Sequence, residues 1–407
     1  MNGPPPSTAR DLTVALLVLA TATTVVVATE FIVVGLLPVL MRDLAISAAE
    51  GGYLVAGFAL SASLLGPPLT LAASPMSSRR VLIGTLLLFA AADLAAVLWP
   101  TFPMLLAVRI VQGAALPVFV GVGAATISRL SPPESRGRSL ALANTGFVLG
   151  VVFALPAGVA LAEGGQWAPS FIALALLALA GAGLVATFLP RTVEVRHSGS
   201  EGASRLLLEP RFTVHLFLSV AIFAAMFSAY TYLALWLAEI AGLISQQIAL
   251  ALAGFGIAGL IGNTAAAWIA DRAPLRATVL AISALALAAV GISLTGQPFV
   301  RIALFVVWGM GHTAAVALCQ VRVTLAGRSA PAFAMAMNIS AANLGIALGA
   351  LVGGWVVEAW GVNAIGWGAA GLALVAIALA AAMAIRGSND PGACGRPAEK
   401  RTDGRTA

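Results

Sequence analysis

Short polar connections cut the chain into twelve apolar runs, each near the roughly 20 residues at which a helix crosses a bilayer core, since each residue rises about 1.5 Å. Their limits are 13–39, 50–73, 80–99, 103–128, 138–161, 168–189, 212–237, 247–270, 275–295, 298–321, 332–356 and 362–385. This pattern leaves little choice of fold. In lipid every backbone N–H and C=O needs a partner inside the protein, and a helix supplies one from its own chain. The expected class is an all-α integral membrane protein with twelve transmembrane helices. Composition agrees: 60% of the 407 residues are hydrophobic and 9% are charged, too few charges to hydrate a soluble surface. The leader Met1 to Thr13 is short, proline-rich and followed by a run of spanning length, so it does not read as a cleaved signal peptide.

Basic residues orient such a chain, because cytoplasmic connections collect Lys and Arg. Nineteen of the 22 lie in the even-numbered connections and the two tails, among them Arg79, Arg80, Arg129, Arg138, Arg276, Arg322 and Arg328. Only Arg42 and Arg301 fall on the other side, and Arg109 lies within a span. Both termini are therefore expected in the cytoplasm, with the chain a multi-pass protein of the cell membrane, in bacterial terms the inner membrane. Trp99, Trp167, Trp236, Trp268 and Trp355 fall near span ends, where an amphipathic ring suits the membrane interface.

The long polar stretch 190–211 divides the spans into two sets of six. The expected organisation is a cytoplasmic N-terminal segment (1–12), a six-helix half (13–189), a cytoplasmic linker (190–211), a second six-helix half (212–385) and a disordered cytoplasmic tail (386–407). Leu149, Gly150, Gly158 and Glu163 recur as Leu344, Gly345, Gly353 and Glu358, each pair 195 positions apart, which marks an internal duplication. Paired halves of this kind are a standard transporter construction, with the substrate near the midplane between them.

Several motifs then resemble one family. The first span reads Thr29-Glu30-Phe31-Ile32-Val33-Val34-Gly35-Leu36-Leu37-Pro38, followed by Arg42-Asp43-Leu44; the fourth has Arg109 followed by Gln112-Gly113. The fifth has Gly146, Gly150, Pro156 and Gly158 in a loose form of a Gly-Pro motif associated with exporters. Together these are similar to the major facilitator superfamily and, within it, to the bacterial twelve-span drug:proton antiporters that include chloramphenicol, arabinose and purine efflux proteins. The likeness covers residues 13–385. It implies the major facilitator fold, a cavity lined by spans 1, 4, 7 and 10, and a conformational latch on the cytoplasmic side. The first copy of that latch is degenerate, with Pro75 in place of the acid and Arg79 and Arg80 retained; the second keeps Asp271, Arg272 and Arg276.

Ionisable groups at membrane depth are costly unless paired or wet, so they mark function by default. Glu30, Asp93 and Arg109 are the three such groups, within about 9 to 12 Å of rise from the same predicted end. Glu30 is expected to take a proton from outside and release it inside when Arg109 approaches or substrate competes. The alternatives are a permanent Glu30 to Arg109 pair that fixes helix register, and an Asp93 that simply neutralises Arg109. Candidates to line a substrate cavity are Gln112, Asn144, Phe227, Tyr230, His312, Asn338 and Asn343, although polar groups in membrane bundles also serve to bridge helices. Of Tyr230 and Tyr232, one is expected to point inward.

Other chemistries find no residues. There is no H-E-x-x-H, no paired nucleophile and base, and no G-x-x-x-x-G-K-[ST] loop in a chain whose one lysine is Lys400. Cys319 and Cys394 make neither a metal spacing nor a disulfide framework, and the scattered basic residues form no nucleic-acid patch. The expectation is a monomeric proton-driven exporter of a small amphipathic or hydrophobic compound, such as an antibiotic, with no cofactor, metal, nucleotide or nucleic-acid partner. An importer or facilitator of a sugar, nucleoside or other small metabolite is the alternative within the same fold.

Overall fold

A computed structural model describes residues 9–73, 75–162, 165–189, 203–270 and 273–388. All regular structure among them is helical, and eleven helices are long and apolar enough to cross a membrane. A twelfth crossing is made by two legs, Arg138–Phe153 and Leu155–Leu161, bent by 40°. The linker's first part, the N-terminal segment's first eight residues, Glu163, Asp271, Arg272 and the tail from 389 lie outside the described residues.

In chain order the spans are 1 (Ala9–Leu44), 2 (Ala48–Ala72), 3 (Ser78–Leu98), 4 (Phe102–Leu130), 5 (Arg136–Leu149, continuing through Gly150–Ala154 to Leu155–Leu161) and 6 (Ala168–Phe188). Spans 7 (Pro210–Tyr230 with Leu233–Glu239), 8 (Ser245–Ala270), 9 (Pro274–Leu294), 10 (Pro298–Ala326), 11 (Pro331–Trp360) and 12 (Ile365–Ser388) follow. Local chemistry sets many of these starts. Spans 4, 6, 7, 9, 10 and 11 carry a proline in the first turn, where its missing N–H costs nothing. Span 2 opens on a capping box in which the Ser47 hydroxyl accepts from the Glu50 N–H and the Glu50 carboxylate accepts from the Ser47 N–H.

Two spans depart from the simple rods expected. Span 5 widens into a π turn over Gly150–Ala154. Pro156 explains the position: it has no N–H for the carbonyl four residues back, and its ring crowds that carbonyl, so an enlarged turn relieves the ladder just before it. Span 7 breaks at Thr231 and Tyr232 before the helix resumes at Leu233.

The duplication read from matched letters reappears as a packing scheme. Span 1 packs on 5, 2 on 4, 3 on 6, and 3 on 4; in the second half 7 packs on 11, 8 on 10, 9 on 12, and 9 on 10. The halves meet where span 2 lies along span 11 and the π turn and second leg of span 5 lie against span 8. Close packing needs missing side chains. A Cβ on Gly146 would run into the Ala20 backbone of span 1, and Gly150 faces Thr24 and Val27 one turn on. Gly158, from the same motif, faces Ile32, while Pro156 is half-buried. The glycines therefore seat span 5 on span 1.

Two expectations need correction. Trp167 and Trp236 are buried, Trp167 edge-on to Phe171 and Trp236 bonded through Nε1 to Asn363, whereas Trp99, Trp268 and Trp355 are exposed as an interface requires. Arg322 belongs to span 10 and not to the connection after it, and it is buried. Of the latch residues, Asp271 and Arg272 lie outside the described residues, and Arg79, Arg80 and Arg276 make no hydrogen bond or ion pair among the described ones.

Gly146→Val is expected to destabilise the bundle by about 1–3 kcal/mol, the cost of overpacking a tight helix crossing. A lower melting temperature and reduced folded yield in detergent would show it; wild-type melting would refute the crossing at Ala20.

Candidate functional site

The Arg109 guanidinium is the centre of the first half. It is fully buried and grips backbone, with Nη1 donating to the Thr29 carbonyl at 2.5 Å, Nη2 to the Glu30 carbonyl at 2.6 Å and Nε to the Leu54 carbonyl at 3.4 Å. Its charge lies over the Phe58 ring, 4.2 Å from the centroid. Register makes this possible. Leu54 and Phe58 on span 2 are one turn apart, as are Arg109 and Gly113 on span 4. A Cβ on Gly113 would strike the Phe58 carbonyl, so that glycine lets span 4 settle on span 2 and brings Arg109 to both Leu54 and Phe58. The Arg109/Gln112-Gly113 motif is thus one geometric unit.

Neither alternative that pairs Arg109 with a carboxylate side chain is what the structure holds. Among the described residues the one ion pair joins Arg42 and Asp43. Arg109 binds the carbonyl of Glu30 and not its side chain, and the Glu30 carboxylate takes no hydrogen bond from the described residues although Glu30 is only 9% exposed. Asp93 does not reach Arg109 either. It accepts from Gln112 Nε2 at 2.7 Å, and both residues are fully buried. Gln112, expected as a cavity donor, therefore ties span 3 to span 4.

The second half contributes aromatics. Phe31, next to Glu30, stacks on Phe227 of span 7 with centroids 6.1 Å apart, and Phe147 of span 5 meets Phe31 edge-on at 6.4 Å. From Phe227 the contacts continue to Tyr230 at 5.4 Å and His312 at 5.6 Å, with Tyr230 and His312 themselves 4.6 Å apart. Phe255 of span 8 closes the group on Tyr230, His312 and Trp308. His312 Nδ1 and Trp308 Nε1 are buried without a partner. Phe227, Tyr230 and His312 thus come together as the sequence suggested. Phe255 and Trp308 were missed, although Trp308 stands one turn from His312 and shares its face.

The remaining candidates divide. Asn338 accepts from Ser219 at 2.9 Å and bridges spans 11 and 7. Asn343 donates to the Ile339 carbonyl of its own helix, leaving its Oδ1 buried and unpartnered. Asn144 lies on span 5, and its side chain is outside the described set. Of the two tyrosines, Tyr230 joins the aromatic group, while Tyr232 donates to the Ala350 carbonyl of span 11 at 2.8 Å. The Tyr232 hydroxyl also fills the space where a Gly52 side chain would stand on span 2. Nearby, Glu358 of span 11 accepts from the Ala49 N–H at the start of span 2, at 3.2 Å. The halves are therefore tied at the end that carries Arg42.

A second buried guanidinium escaped the sequence reading. Arg322 donates to Thr278 Oγ1 at 3.1 Å and Cys319 Sγ at 3.2 Å and meets His215 Nδ1 at 3.2 Å, joining spans 7, 9 and 10. Its position near a predicted span end hid it among the connection arginines.

The family model described as Major Facilitator Superfamily matches residues 19–328 and 216–404. A chloramphenicol resistance protein of Streptomyces lividans is 32% identical over 346 residues, covering 83% of this chain and 87% of that protein. An uncharacterized MFS-type transporter of Bacillus subtilis (strain 168) is 28% identical over 353 residues, covering 84% and 87%. Among solved structures, a mutant of the nucleoside transporter NupG aligns with a TM-score of 0.76 at 15% identity, over 91% of this chain and 99% of that one. A bacterial homologue of the human lysosomal transporter Spinster, inward-facing and occupied, aligns at 0.73 and 15%, over 97% and 100%. At such identities these two likenesses concern the fold.

Arg109→Lys keeps the charge but loses the planar fork that reaches three carbonyls. With charge-assisted bonds worth about 1.5–3 kcal/mol each, transport is expected to fall at least about tenfold while the protein still reaches the membrane. Transport assays normalised to membrane-resident protein check this, and full activity would mean that charge alone suffices.

Proposed function

The chain belongs to the major facilitator superfamily and is a multi-pass membrane transporter, and from that premise we propose that it exports a small amphipathic or hydrophobic compound, such as an antibiotic or drug, in exchange for protons. The observation that carries this reading is the place of Glu30. Its carboxylate has no protein hydrogen bond among the described residues, its backbone is held by Arg109, and its neighbour Phe31 stacks on Phe227 of the opposite half. A proton on Glu30 changes charge where the halves touch, beside the aromatic group that suits an apolar ligand. The chloramphenicol resistance relative supports the direction and the class of cargo.

On this proposal the protein sits in the bacterial inner membrane with both termini in the cytoplasm, so the Arg42 end faces outward. It works as a monomer, draws on the proton gradient and holds no cofactor or metal. The ties of Glu358 to Ala49 and of Tyr232 into the Gly52 site support a conformation closed to the outside. Alternating access then requires those contacts to part and the latch side to close, with Asp271, Arg272 and Arg276 as its better copy.

A nucleoside or similar metabolite is the second reading. The unpartnered His312 Nδ1 and Trp308 Nε1 favour a ligand that brings hydrogen-bonding groups along with a ring. Proton movement in everted vesicles separates the two: with an acid interior established, hydrophobic drugs, dyes, nucleosides and sugars are added in turn and a pH-sensitive dye is followed. Drug-triggered alkalinisation that Glu30→Gln abolishes is expected. A response to nucleosides alone moves the assignment to the second reading, and coupled flux surviving in Glu30→Gln removes Glu30 from the coupling role.

A further inference from the structure

Asp93 and Gln112 leave two oxygens unexplained. Asp93 Oδ1 accepts from Gln112 Nε2 at 2.7 Å, yet Asp93 Oδ2 and Gln112 Oε1 are both sealed from solvent without a donor. Both side chains are fully buried. An ionised carboxylate with one neutral donor and one bare oxygen is an unfavourable buried state, and the orphaned amide oxygen adds to the cost. A single proton on Oδ2 supplies what both oxygens lack, because in two groups already joined at 2.7 Å the new O–H can donate to Gln112 Oε1 by rotation about the soft terminal torsions. Turning the amide over does not rescue the ionised form. Two oxygens would then stand 2.7 Å apart and again require a proton between them.

We propose that Asp93 carries a proton in this conformation and closes an acid–amide pair with Gln112, which leaves Glu30 as the one membrane-depth carboxyl that exchanges a proton in each cycle. Span 3 packs against spans 1, 4 and 6. The charged groups these bring to its depth are Glu30 and Arg109, and span 6 carries none. With Asp93 neutral, Glu30 is the sole counter-charge to Arg109 and the three groups sum to zero when Glu30 is ionised. Access separates the two acids: the unbonded Glu30 oxygens are not among the sealed atoms, whereas Asp93 Oδ2 is. The pair also positions Gln112 one turn beyond Arg109, so a neutral Asp93 helps hold the span that grips span 1. The stoichiometric half of this inference, one proton per substrate, rests on the proton-coupled reading above; the protonation of Asp93 does not.

The test is infrared spectroscopy of the purified full-length protein in lipid at about pH 8, where solvated carboxyls are ionised. The wild type is expected to show a protonated-carboxyl C=O band, well above the carboxylate bands, that shifts on ¹³C-aspartate labelling and is lost in Asp93→Asn. Absence of an aspartate-labelled protonated band in the wild type overturns the proposal without needing any variant to fold. Protons moved per substrate in everted vesicles form the second readout. The ratio is expected to be one in wild type and the same in Asp93→Asn, whatever its turnover, since the amide supplies the same donor and acceptor. A lower ratio in Asp93→Asn shows that Asp93 cycles and overturns the stoichiometric half. A wild type with no proton flux but an intact aspartate band refutes the antiport reading and leaves the Asp93 proton standing.

Discussion

A buried guanidinium held by backbone is the constraint on which the first half depends. Arg109 gathers the carbonyls of Thr29 and Glu30 from span 1 and of Leu54 from span 2, so three helices share one cation. Carbonyls can do this because each has a second lone pair beyond its helical bond. The aromatic face of Phe58 adds a further attraction of about 2 kcal/mol for a desolvated cation. A clamp on backbone stays in place whatever the side chain of residue 30 does. On the proposed function that separates two jobs: Arg109 fixes the helix and sets the local potential, while the Glu30 carboxyl remains free to change its charge.

The two halves share a packing scheme but not a chemistry. Both build the same neighbour pairs, yet the membrane-depth carboxyls belong to the first and the aromatic group of Phe227, Tyr230, Phe255, Trp308 and His312 to the second. Duplication supplied the frame and divergence the contents. The Phe31 and Phe227 stack is where these contents touch, and it places the acid of one half one residue from an aromatic wall of the other.

The fold was legible because lipid makes it so. Spanning length, internal hydrogen bonding and the 195-residue offset each act through the chain alone, and the twelve crossings and six-plus-six packing follow from them. Partner choice was less legible. The sequence left open whether Arg109 would meet a carboxylate, and nothing in it reports that backbone carbonyls lie closer. Gln112, Asn338 and Tyr232 were ambiguous for a related reason: a polar side chain in an apolar run needs a partner, and whether that partner is a ligand or a neighbouring helix depends on interhelical register. Arg322 was misplaced because a long helix carried it inside a boundary drawn from hydropathy. Trp167 and Trp236 show the same limit, since closeness to a span end does not say whether a side chain faces lipid or protein.

The absence of a Glu30 to Arg109 salt bridge bears on how a proton can do work in the proposed cycle. Were the two side chains paired, protonation would have to break a buried ion pair and strand the cation, which is a large penalty. Here the cation has carbonyl partners, so adding a proton to Glu30 removes its counter-charge but breaks none of its hydrogen bonds. The consequence is concentrated at the contact between halves, where a neutral residue 30 beside Phe31 and Phe227 is easier to bury and a charged one easier to hydrate. Neutral Glu30 thus favours a closed aromatic contact and ionised Glu30 an open, wet one. At the Arg42 end the Glu358 to Ala49 tie and the Tyr232 hydroxyl over Gly52 must yield in the same cycle. The first is a single hydrogen bond to an exposed side chain and the second a hydroxyl seated against a missing Cβ, contacts modest enough for a shift in one buried charge to offset.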